Sequence, residues 1–156
     1  LKLQSLPQGV RLAVEAAQSK KAAGITVLDL KELGAFTQYF VICTGFSTPQ
    51  VQAILSEIEE QVYKEMKRSP EHREGRGSAE WALLDYGAFI VHVFGEQARR
   101  FYDLERLWRS APKLVLPDAP EGPHGRPAFS ATERAELRGA DVQGGEMSSA
   151  DDAVAP

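Results

Sequence analysis

Residues 80–108 read EWALLDYGAFIVHVFGEQARRFYDLERLW, and the fold turns on how this stretch divides. WALLD and AFIVHVF are strand-forming runs on either side of Tyr86-Gly87, where glycine supplies the positive φ that a tight hairpin requires. A two-residue turn there sets Leu84 opposite Phe89, Ala82 opposite Val91, Leu83 opposite Ile90 and Trp81 opposite His92. Side chains alternate along a strand, so Ala82, Leu84, Phe89, Val91 and Val93 share one wholly apolar face. The other face holds Trp81, Leu83, Asp85, Ile90 and His92, a mixture suited to meeting something. GEQARRFYDLERLWRSA then reads as one helix ending at Pro112, with Phe101, Leu104 and Trp108 on a single stripe.

Upstream, VRLAVEAAQSKKAAG is a first helix, capped by Ser5 ahead of Pro7 and stopped at Gly24. ITVLDL (25–30) and YFVICTG (39–45) are short, β-branched and apolar, as buried strands are. FSTPQ opens a second helix: Ser47 or Thr48 can accept from a free backbone N–H, Pro49 suits the first turn, and Ser47 with Gln50 fits a capping box. Val51, Ile54, Leu55, Ile58 and Val62 form its apolar stripe, which should pack on a sheet. Residues 67–79 are polar and glycine-bearing, the composition of a mobile loop. The pattern is that of a single α/β domain over residues 1–119 with helices flanking the sheet.

Beyond KLVLP the composition shifts to Pro, Gly, Ala, Ser and acids, too poor in large apolar residues to offset ordering entropy. Residues 120–156 are therefore expected to be an acidic, disordered tail, in which Ser130 and Glu133 could cap a short helix through Leu137. The net charge of -4 lies in that tail: residues 1–119 carry 15 Lys+Arg against 15 Asp+Glu, and the remainder 3 against 7. A compact part without net basic character argues for little direct nucleic-acid contact, because phosphate neutralisation supplies most of the affinity of nucleic-acid binders. The single Cys43, set in an apolar run, excludes an internal disulfide and suggests a buried thiol in a reducing, cytoplasmic setting. No run is long and apolar enough for a membrane span, and no membrane contact is expected. The chain begins with Leu, which leaves room for an upstream segment.

His72, His92 and His124 fall in a loop, a strand and the tail with no ligand spacing, so neither metal nor cofactor is implied. TGFSTPQ has the shape of the phosphate-cradling junction of nucleotidyltransferases, which alone would suggest an enzyme. Those enzymes also need two carboxylates on one strand. Glu57 and Glu59, which have that spacing after the junction, sit on a helix, where a two-residue step turns the side chains about 200° apart. The junction is therefore read as a helix cap and the chain as not an enzyme. What remains is the aromatic and acidic surface of residues 80–108, the composition of a protein-binding patch whose partner brings Lys or Arg.

KKAAGITVLDL, YFVICTGFSTPQVQAI, EWALLDYGAFIVHVF and ARRFYDLERLW, in this order and spacing over about residues 8–116, closely resemble the ribosomal silencing factor (RsfS, or Iojap) family. The resemblance implies an α/β domain with a mixed sheet, nucleotidyltransferase-like in fold but without the catalytic carboxylates. It also implies binding to large-subunit ribosomal protein fourteen, which blocks joining of the small subunit and represses translation under nutrient limitation. For organelle relatives it implies a role in assembly of the large subunit. The family's WALLDYG and YDLERLW motifs fall on the suspected patch, so the partner-binding residues are expected to be Trp81, Leu83, Asp85 and His92, continued by Tyr102, Asp103, Glu105 and Trp108. Reversing the charge of Asp85 and Glu105 together should then abolish docking and spare the fold. An exposed aromatic sheet face can also be covered by a second copy, giving a homodimer that competes with the ribosome.

Overall fold

A computed structural model describes residues 1–78 and 80–118; the expected tail, with its Ser130–Glu133 cap, lies outside the described residues. After a single 3-10 turn, Leu3–Ser5, the chain runs α1 (Gln8–Ser19), β1 (Ala23–Asp29), β2 (Tyr39–Thr44), α2 (Thr48–Met66), β3 (His72–Glu74), β4 (Trp81–Asp85), β5 (Phe89–Phe94), α3 (Glu96–Tyr102), α4 (Leu104–Leu107) and β6 (Lys113–Val115). The six strands form one mixed sheet in the order β3-β4-β5-β2-β1-β6. Only β2 and β5 run parallel; the other pairs are antiparallel.

The hairpin divides its faces as expected but not in the expected register. Leu84 pairs with Val91, Leu83 with His92 and Trp81 with Phe94, two residues away from the anticipated partners. The tight turn lies one residue further on: the Tyr86 N–H donates to the Phe89 carbonyl, and Gly87, at φ 82°, sits inside the turn. A shift of two preserves side-chain parity, so the two faces survive it. Ala82, Leu84, Phe89, Val91 and Val93 join Val10, Val14 and the α2 residues Val51, Ile54, Leu55, Ile58 and Val62 in the larger core. Gly9 lets α1 approach this face closely, since a Cβ there would lie 2.6 Å from the Phe89 ring.

At the start of α2, Ser47 accepts from the Gln50 N–H at 3.2 Å. The reciprocal bond is displaced by one residue: Gln50 Oε1 accepts from the Phe46 N–H at 2.7 Å, not from that of Ser47. The buried Gln50 amide also donates to the carbonyls of Lys20 and Lys21, tying the end of α1 to the start of α2. Ser47→Ala is expected to lower stability by about 1 kcal/mol, the usual loss for a removed N-cap, read as a shift of the urea midpoint at unchanged m.

Four expectations change. Ser5 does not cap α1; its hydroxyl donates to the Lys2 carbonyl, and Pro7 holds the cap position. The helix ends at Ser19, capped by Lys20 with Lys21 at φ 60°, and Gly24 lies instead at an irregularity in β1. The polar segment after α2 contains the edge strand β3, invisible to periodicity because all three of its side chains are exposed. It is held from α2, where Glu59 accepts from Arg73 at 2.7 Å and pairs with Arg76. Finally, the last helix is two, broken at Asp103, whose backbone is left-handed (φ 46°, ψ 58°). KLV then returns to the sheet as β6 beside β1.

Candidate functional site

The second face of the sheet carries a smaller core built on Leu28, Leu30, Phe40, Ile42, Ile90 and Phe94, against which Trp81, Leu83, Leu104 and Trp108 pack half-buried. An aromatic row crosses it. Tyr102 leans on Trp81 at 4.6 Å between ring centroids, and Trp81 stacks on Phe94 at 5.0 Å. The Trp81 indole N–H donates to His92 Nδ1 at 3.1 Å. Phe40 meets His92 edge-on at 4.5 Å and Trp108 edge-on at 6.2 Å. The row opens to solvent at Tyr102, 44% exposed, and Phe101, 81% exposed.

These contacts sort the residues expected to touch a partner. Trp81, Leu83 and Trp108 are half-buried and Tyr102 is exposed, all on the expected face. His92 is 5% exposed, and burial pushes its pKa down to about 4, so at neutral pH it is an uncharged acceptor orienting Trp81 from beneath. Asp85 accepts the Gly87 N–H at 2.7 Å, closing the hairpin turn. Asp103 supplies the left-handed residue between α3 and α4. Glu105 accepts from Arg99 Nε at 2.9 Å and from Arg99 Nη2 at 3.1 Å. Arg99 also donates to Thr44 at 3.0 Å and Thr26 at 3.4 Å, clamping α3 over β1 and β2. Reversing Asp85 and Glu105 would thus strain the fold before it tested docking.

Two surface features escaped the reading of the sequence. Phe101 faces solvent rather than the core, because the break at Asp103 takes it off the line of Leu104 and Trp108; Leu107 is likewise exposed. Asp103 is the signal that was available, since aspartate is a common residue at a helix start and tolerates the left-handed region. Arg99 gave no signal: nothing in the spacing of Arg99 and Glu105 says that their side chains meet.

The Gly-x-Ser junction lines a cleft of about 640 Å³ together with Gly95, Phe101 and Tyr102. Its charged liners are two carboxylates, Glu80 and Glu96, which oppose phosphate, and the Ser47 hydroxyl is engaged as a cap. Glu57 accepts from Gln61 while Glu59 holds Arg73 and Arg76, so the two carboxylates serve different neighbours. Cys43 is fully buried, and desolvation pushes its thiol up to about 12, far from a nucleophile at neutral pH. Among the described residues no group of three or more His, Cys, Asp or Glu side chains is placed to hold a metal ion. None of the described helices is long and apolar enough to cross a membrane.

A family model described as "Ribosomal silencing factor during starvation" matches residues 3–141, running past the compact part into the acidic segment. The ribosomal silencing factor RsfS of Bacillus subtilis is 40% identical over 107 residues, 69% of this chain and 90% of that protein. RsfS of Halalkalibacterium halodurans is 39% identical over 107 residues, covering 69% and 91%. A crystal structure of a Chromobacterium violaceum protein superposes with a TM-score of 0.62 at 33% identity, covering 70% of this chain and 88% of that one.

Proposed function

The chain belongs to the ribosomal silencing factor family, and on that footing we propose that it binds large-subunit ribosomal protein fourteen and, by occupying that site, blocks subunit joining and lowers translation. The observation that carries this reading is the aromatic row, held rigid from within and most open to solvent at its Tyr102–Phe101 end. Pre-ordered aromatics are the usual anchors of a protein interface, because they bury large area at little further entropic cost. Trp81, Leu83, Tyr102 and Trp108 form the contact; His92, Asp85 and Glu105 act through the geometry they impose; Asp103 sets the angle at which α4 leaves Tyr102. An interface of roughly 800 Å² per partner is enough, since exclusion requires occupancy and no chemistry. The factor works in the cytoplasm, where the subunits are, without catalysis or cofactor. The two carboxylates in the cleft support that, and calorimetry with nucleoside triphosphate and magnesium should give no saturable heat. A second copy docked through the same row would compete with the ribosome, so at a fixed subunit concentration, lowering the protein concentration should raise the fraction of it that is ribosome-bound.

The test is sedimentation of purified large and small subunits with and without the protein. Comigration with large subunits and a smaller joined-ribosome peak support the reading; a protein left at the top of the gradient with the peak unchanged sinks it. Tyr102→Ala should weaken binding to large subunits by at least about tenfold while costing about 1 kcal/mol of stability through its lost packing on Trp81, too little to unfold the domain. Undiminished binding by that variant would move the interface elsewhere.

A further inference from the structure

The geometry points to a second contact on this protein: the α3–α4 ridge binds the sugar-phosphate backbone of large-subunit RNA beside the docking face. This inference rests on the ribosomal reading and adds a partner that the even charge of the compact part had argued against. Arg100, Arg106 and Arg109 are exposed, and their side chains make no hydrogen bond or ion pair with another described residue. Four other described arginines are tied down: Arg68 donates to the Tyr86 carbonyl, Arg73 and Arg76 hold Glu59, and Arg99 holds Glu105, while Arg11 on α1 is exposed and stands apart from any such group. The three free guanidinium groups line one shallow depression with Phe101, Leu107 and a single carboxylate, Asp103. Among the described residues that line it the depression therefore carries an excess of two positive charges within a neutral domain, and the nearby Glu105 is held by Arg99.

The identity of the partner follows from the company those charges keep. Guanidinium groups grip phosphate through paired N–H donors, and an exposed aromatic ring among them offers a face on which an unstacked base can lie. Phe101 is 81% exposed and meets Tyr102 edge-on at 5.1 Å, so the basic ridge continues directly from the aromatic row. A protein held by that row on a ribosomal subunit would bring the ridge against the neighbouring surface, and on a ribosome that surface is largely RNA. An acidic peptide matches the charge but not the bare ring. This chain contains such a peptide, since residues 139–156 carry four acids and no Lys or Arg.

The experiment compares wild type with Arg100→Gln/Arg106→Gln/Arg109→Gln, and with the same three positions changed to Glu, for binding to purified large subunits, to isolated ribosomal protein fourteen and to purified large-subunit RNA across a salt series. Circular dichroism establishes that the variants fold. The wild type should show a steeper loss of affinity with salt on subunits than on the isolated protein, by about two to three in the logarithmic slope. The Gln variant should lose that difference and bind subunits about tenfold or more weakly near 0.1 M salt, with the isolated protein bound as before; the Glu variant should bind subunits more weakly still. Equal slopes and affinities for wild type and variants on subunits overturn the inference. So does tighter subunit binding by the Gln variant, matched by a chain truncated after Asp118, which would assign the ridge to the acidic segment of this same chain. If neither form binds subunits, the docking reading has failed; the ridge then stands only if wild type binds the free RNA and the Gln variant does not, and falls otherwise.

Discussion

Glu105→Lys is expected to destabilise the domain by about 3 kcal/mol, measured as the change in unfolding free energy in urea. Arg99 is the reason. Its side chain is only 14% exposed and its carboxylate partner 31%, so removing the carboxylate strands a largely desolvated cation whose remaining partners are two threonine hydroxyls. Loss of one member of a buried pair costs about 3–5 kcal/mol, and the partial exposure of Glu105 places this case at the lower end. An ammonium in its place adds repulsion. The pair as a whole should matter much less than its halves: Arg99→Met with Glu105→Leu should recover most of the loss, because replacing both charges removes the desolvation penalty along with the attraction. A change of under about 0.5 kcal/mol in Glu105→Lys would mean that the pair behaves as a solvated surface bridge. Glu105 would then be available to a partner after all.

That pair also shows how far the sequence could be read. The hairpin faces were legible because alternation depends on parity, and an error of two in register leaves every side chain on its own side. The stripe of α2 was legible because five apolar residues recur at helical spacing, and all five are buried. β3 was not, since an exposed edge strand of His72, Arg73 and Glu74 has no apolar alternation to detect. Phe101 was misplaced because periodicity assumes an unbroken helix, and one left-handed residue at Asp103 takes it off the stripe it was assigned to. The acids of the patch were recognised by type and position but not by partner. A carboxylate holding Arg99 and one closing a turn at Gly87 look, in a sequence, like two free surface charges.

Acidification should act on the same face through His92. Its folded pKa is lowered to about 4 by burial alone, below an unfolded value near 6.5. The folded state therefore favours the neutral ring. The associated stability is fully present above pH 6.5 and is lost as the pH falls toward 4, roughly 3 kcal/mol in all. Protonation of Nδ1 would also turn the acceptor for the Trp81 indole N–H into a donor, so the row loses its internal hydrogen bond as well as its neutral centre. Between pH 7 and pH 4.5 the wild type should lose about 2.5 kcal/mol more than His92→Phe, which keeps a ring between Phe40 and Trp81 and cannot titrate. Carboxylates shared by both proteins cancel in that comparison. Equal losses in the two proteins would mean that the ring is solvated in the folded state and that burial does not lower the pKa of His92. Given the expected difference, binding to large subunits should weaken over the same pH interval in the wild type and not in His92→Phe, because the proton then acts on the orientation of Trp81 and, through its contact, on Tyr102.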